Sequence, residues 1–158
     1  MTKEDFDIKT EYTQLAKNYN LPNFDDLNKD FEISIIDKKD FISRRIRRRL
    51  CEKVIFYCKI IENLIYPMGQ NPLNLYEINF ISEEDKQNLV KVHKRLMVFE
   101  RKSLLLDVSA GEEAGDIEYI RDLLKDWPEF KKELIRLVSI IKDSWTKELE
   151  DDGGRYFG

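Results

Sequence analysis

From Phe130 to Leu149 apolar side chains return every three or four residues: Phe130, Leu134, Leu137, Val138, Ile141, Trp145 and Leu149. That spacing puts them on one face of an α-helix, whereas a strand would scatter them over both faces. A second stripe runs through Ile42, Ile46, Leu50, Val54, Tyr57, Ile61, Leu64 and Ile65. A third is built from Leu89, Leu96, Met97 and Leu104. With 6 Gly and 4 Pro in 158 residues, the chain has little material for the turns of an all-β fold. The expected fold is all-α: a bundle of three long helices over about residues 40–66, 82–107 and 128–150, with short helices near 3–18 and 116–126.

Local signals set those bounds. Thr2-Lys3-Glu4-Asp5 resembles a capping box, and Asn20-Leu21-Pro22-Asn23 breaks the first helix. Asp40 can cap the second stripe, and Pro67 stops it. Ser82-Glu83-Glu84-Asp85 opens the third with acids placed well against the helix dipole. Gly111-Glu112-Glu113-Ala114-Gly115 reads as a hinge, and Pro128 as a first-turn proline of the last helix. Asp151-Asp152-Gly153-Gly154 ends that helix, leaving one helical domain over 1–150 and a flexible tail over 151–158. Phe31, Ile33 and Ile35 alternate with polar residues, as do Tyr76, Ile78 and Phe80. A two-stranded ribbon from 31–36 and 76–81 is therefore the alternative, and would make the class α+β.

Charge is plentiful and uneven. Charged residues make up 37% of the chain, against about 25% in an ordinary domain. Residues 1–40 carry 6 Lys and 10 Asp and Glu, whereas 41–66 carry 5 Arg, 2 Lys and 2 Glu. Residues 109–158 return to acid, with 8 basic and 13 acidic side chains. A basic middle is enclosed by acidic ends. If Cys51 and Cys58 share one helix, their Cα atoms lie about 10 Å apart, too far for a disulfide. They fit buried thiols in a reducing compartment. Met1–Asp7 is too polar for a secretory leader, and Lys59 and Glu62 interrupt the most apolar stretch. A cytoplasmic location is expected.

Five arginines in six residues, Arg44-Arg45-Ile46-Arg47-Arg48-Arg49, are the strongest local signal. Guanidinium groups stay charged and match phosphate or carboxylate geometry, so the cluster asks for an anionic partner. On a helical wheel Arg44, Arg45 and Arg48 lie opposite the apolar stripe, as a ridge open to a partner or to phosphate. Arg47 and Arg49 fall on its flanks. On the helix of 82–107, His93 and Glu100 sit at the centre of the apolar face, with Ser103 and Asp107 beside them, forming a polar seam. A carboxylate there needs a cation, and an ion pair from Glu100 to Arg47 or Arg49 is expected.

Little else carries chemistry. One histidine and two cysteines are too few for a zinc site without carboxylate help, and the paired Glu-x-x-His motifs of a di-metal bundle are missing. No Walker or Rossmann glycine spacing occurs, nor a nucleophile–base signature. No metal, cofactor or enzymatic role is expected. The run Leu21-Pro22-Asn23-Phe24-Asp25-Asp26-Leu27, the arginine-rich helix start and Arg95-Leu96-Met97-Val98-Phe99-Glu100-Arg101-Lys102 resemble short archaeal helical proteins with no assigned activity. That resemblance implies a prokaryotic cytoplasmic protein and carries over no site residue.

The sequence therefore points to a non-enzymatic protein–protein interaction module, a small subunit or adaptor, which meets another protein or a second copy of itself. Nucleic-acid binding through the Arg44–Arg49 cluster is the alternative, and a membrane partner is not expected.

Overall fold

The computed structural model describes residues 6–66 and 71–155. Its elements are α1 (Ile8–Tyr19), α2 (Phe24–Phe31), α3 (Ile42–Ile65), α4 (Pro72–Glu77), α5 (Glu83–Val108) and α6 (Glu113–Arg155). Single 3-10 turns follow α2 at Ile33–Ile35 and α4 at Ile78–Phe80. The fold is all-α, and there is no strand among the described residues. No described helix is long and apolar enough to cross a membrane.

The ribbon does not form, and local hydrogen bonding gives the reason. Glu32 adopts a left-handed conformation and closes α2 by donating its N–H to the Asn28 carbonyl. The Asn28 side chain accepts from the Ser34 N–H at 2.8 Å. Donors that a ladder needs are thus spent within a few residues. In the other segment Asn71 caps α4, accepting from the Leu73 N–H, with Pro72 in the first turn. Short alternating runs are where side-chain period is a poor guide, and capping decides.

Three bounds also differ from the sequence reading. Helix α1 starts at Ile8, where Asp7 accepts from the Lys9 and Thr10 N–H groups; Thr2–Asp5 lies outside the described residues. At the other end, the expected break between 116–126 and 128–150 is absent. Helix α6 runs through Pro128 without interruption. Its buried side chains Ile120, Leu123, Trp127, Phe130, Leu134 and Leu137 keep a strict alternation of three and four residues across the proline. That continuous burial offsets the lost hydrogen bond and ring clash, about 3 kcal/mol, that a mid-helix proline costs. The helix also extends through Asp151–Arg155, beyond the expected stop; a glycine costs a helix about 1 kcal/mol, which disfavours it without forbidding it. Tyr156–Gly158 lies outside the described residues.

The chain divides into two compact units. The first comprises residues up to Phe56 together with Val98–Lys125. Its core gathers Tyr12, Leu27, Phe31, Ile33, Ile46, Leu50, Ile120 and Leu123. The Tyr12 hydroxyl donates to the Pro22 carbonyl at 2.7 Å, and burial pushes its pKa up to about 12. The second unit comprises Tyr57–Met97 and the chain from Asp126 onward. Here Ile61, Leu64, Leu89, Leu96, Phe130, Leu134 and Leu137 are buried, and Tyr57 stacks on Trp127 at 4.6 Å between ring centres. Cys51 and Cys58 are buried, one in each unit, and are not joined by a disulfide.

Candidate functional site

The arginine cluster begins α3 in the first unit, and its five members have five different surroundings. Arg47 is fully buried. Its Nε donates to Asp116 Oδ1 at 2.6 Å, and Nη1 donates to the Ser103 carbonyl at 2.9 Å and also to the Ser103 hydroxyl. Nη2 donates to Asp107. The Ser43 hydroxyl lies 3.4 Å from the other Asp116 oxygen. Burial works against the Arg47 charge, but hydrogen bonds to Asp107 and Asp116 prevail and hold its pKa above the ordinary arginine range. Asp107 answers in kind: partial burial would raise its pKa, and the Arg47 and Arg48 guanidiniums bring it below the usual carboxylate value.

The expected Glu100 pair is not formed. Glu100 meets Arg101 at 3.2 Å. Arg49 instead donates to the Phe31 carbonyl at 3.1 Å, to Glu32 at 3.0 Å and to Glu52. The reason lies in α5, whose buried stripe is Leu89, Val92, Leu96, Phe99 and Ser103. Glu100 stands one residue beyond that stripe, with its side chain a quarter exposed. Of the proposed polar seam, Ser103 and Asp107 do meet the cluster, through Arg47. His93 belongs to the second unit, where its Nε2 lies 3.0 Å from Glu62 and its ring stands edge-on to Tyr66.

The three outward arginines are each partly engaged. Arg44 donates to the Gly111 carbonyl at 3.1 Å, and its guanidinium lies 4.9 Å from the centre of the Phe41 ring. Arg45 donates from Nε to the Asp40 carbonyl at 2.7 Å. Arg48 shares Asp107 with Arg47 at 3.1 Å and keeps 55% of its side chain exposed. Among the described residues, no carboxylate forms an ion pair with Arg44 or Arg45. Phe41 has φ of 56°, a left-handed backbone that costs a bulky residue about 1–2 kcal/mol, and the residue is 68% exposed. A cleft of about 250 Å³ opens here, lined by Lys39, Phe41, Arg44, Gly111 and Glu113 among others.

Sequence reasoning missed two features. One is Asp116, read only as part of a short helix, which proves to be the buried partner of Arg47. The other is the outward face of α5 within the first unit. Val98, Leu104, Leu105 and Val108 are all more than half exposed, with Arg101 among them. This arc lies roughly 160° around the helix from the buried stripe at 100° per residue. Helix α5 is thus apolar on two opposite sides. A wheel that averages both lands between them, on Leu89, Leu96, Met97 and Leu104, which is how Glu100 came to look central. The spacing Val98, Arg101, Leu105, Val108 was the available signal.

Beside Leu105 the first turns of α6 leave a groove of about 180 Å³, with Leu106, Gly115 and Tyr119 in its lining and Lys102, Glu118 and Asp122 as its charged members. A Cβ on Gly115 would come within 2.8 Å of Leu106 Cδ2, so the glycine keeps helix and side chain close. Among the described residues, no three His, Cys, Asp or Glu side chains gather as a metal site. No family model matches the chain, and no curated protein or solved structure is similar to it.

Proposed function

We propose that the protein is a non-enzymatic interaction module, which docks a protein partner on the outward face of α5. The observation that carries this reading is the exposed row of Val98, Leu104, Leu105 and Val108. Single exposed apolar residues are ordinary, but four on one arc of one helix form a patch of the kind that marks interaction surfaces. The interior charge network supports the same reading. Arg47 and Arg49 are taken by Asp107, Asp116, Glu32 and Glu52, so much of the basic cluster serves the fold. A photo-crosslinking side chain at position 105 of the full chain tests the proposal, with one at the exposed Thr13 as control. A discrete adduct specific to position 105 is expected, and identical patterns from both positions would overturn the reading.

Phe41 and Arg44 favour a second reading, binding of a nucleic-acid strand. An exposed aromatic ring held at a strained backbone beside a guanidinium resembles the pairing of base-stacking and phosphate-binding groups. Arg45 adds a cation with no carboxylate partner among the described residues. Titration with short RNA and DNA at two salt concentrations tests it, and absence of binding at low salt would end it.

A further inference from the structure

The proposed docking face does not offer apolar contact alone. Arg101 stands inside the arc of Val98, Leu104, Leu105 and Val108, with 62% of its side chain exposed. Among the described residues its one ion pair is with the adjacent Glu100, through Nη1 at 3.2 Å. A guanidinium has five N–H donors, so most of this one depends on solvent. Lys102 borders the groove beside Leu105 and is only loosely held, 3.8 Å from Asp122. A wholly apolar partner would strip water from the Arg101 donors that Glu100 does not engage and give nothing back. A second copy of this face adds repulsion wherever its two-fold axis brings Arg101 and Lys102 close to their own counterparts.

Magnitude decides the rest. Covering four half-exposed aliphatic side chains yields no more than association alone costs at the lower end. Apolar contact therefore cannot secure a partner here without the charges. Resting on the proposed docking function, we infer that the occupant is an amphipathic helix whose apolar seam is interrupted by an Asp or Glu. That carboxylate meets Arg101 in bidentate fashion, the geometry for which guanidinium is suited. One large apolar side chain of the same helix enters the groove at Leu105, Gly115 and Tyr119. The acid does more than add affinity: it rejects partners that bring a cation or nothing to the same place.

Two synthetic helical peptides of about three heptads test this. Both carry a leucine seam; one has Glu at the central seam position and the other Lys. Binding to the full chain is followed by fluorescence anisotropy for the native protein, Arg101→Ala, Leu105→Glu and Val108→Glu. Leu105 and Val108 are exposed, and circular dichroism checks that the variants stay folded. The Glu peptide is expected to bind about tenfold or more tightly than the Lys peptide. That preference should vanish in Arg101→Ala, and binding should be lost in both glutamate variants. Equal binding of the two peptides, abolished by Leu105→Glu, would overturn the acidic occupant and leave the docking face standing. Binding indifferent to Leu105→Glu and Val108→Glu, or no binding of either peptide, would overturn both. A dimer in sedimentation that Leu105→Glu dissolves would show that the occupant is a second copy, and would overturn the inference too.

Discussion

Arg47 and Asp116 meet at 2.6 Å with neither side chain more than 3% exposed, so an ion pair sits in the interior of the first unit. Removing one partner leaves the other charged and without water, a loss of about 3–5 kcal/mol. Arg47→Met should fall in that range in urea unfolding. Arg47→Met combined with Asp116→Leu should recover much of the loss, because apolar pairs of similar volume replace buried ion pairs at small cost. Additive losses in the double variant would show that the two side chains act independently.

The pH dependence follows from Asp107. Its folded pKa lies below the ordinary carboxylate value, held there by Arg47 and Arg48. The stability it contributes is present above the unfolded value, and is lost as pH falls from about 4 through the lower folded value. Asp107→Asn should cost about 1–2 kcal/mol at neutral pH, and should flatten the slope of stability against pH below about 4. Acid titrations monitored by circular dichroism on both proteins give the comparison. Parallel curves in that window would contradict the assignment.

Ala110 ends α5 with φ of 50°, and the Gly111 N–H reaches back to the Leu106 carbonyl at 2.9 Å. This is the left-handed closing position that glycine suits and alanine tolerates at a cost of about 1 kcal/mol. Ala110→Gly should therefore stabilise by about that amount, raising Tm by roughly 2–4 °C. A lower melting temperature would argue that the turn is built differently.

Pro128 lies inside α6 and withholds one N–H from the helix ladder. Pro128→Ala should stabilise by about 1–3 kcal/mol, less than the full cost of the proline because alanine also loosens the unfolded chain. Thermal unfolding measures it directly.

For the nucleic-acid reading, Arg44→Ala with Arg45→Ala should weaken binding to RNA or DNA and reduce the salt slope by about two phosphate contacts. Arg48→Ala should matter less, since Asp107 already draws on that charge. An unchanged slope in the double variant would remove the cluster from any such role.

Helix positions were readable because burial in α3 and α6 follows single unbroken stripes, such as Ile46, Leu50 and Val54 or Phe130, Leu134 and Leu137. Pro128 misled because a local signal was weighed above the three-and-four spacing that runs straight through it. A helical wheel centred on the apolar side chains puts Arg47 on a flank; the buried arc is wider, and its place four residues after Ser43 and three before Leu50 puts it on the buried side. Its partner Asp116 could not be found from spacing, since the two are 69 residues apart and only tertiary packing joins them. Phe41 gave no sign at all: nothing in its neighbours announces a left-handed backbone at that ring.

Helix α5 could satisfy its hydrophobic pattern in the first unit by turning either apolar side inward. Hydrophobicity alone leaves two orientations close in energy, the condition in which a chain settles into a mixture. Polar chemistry breaks the tie. Ser103 lies on one side, where its hydroxyl and carbonyl receive the Arg47 guanidinium, and Arg101 lies on the other, where burial would strand it. The buried arginine thus acts as a key for rotational choice, fixing which side of α5 is left facing outward for a partner.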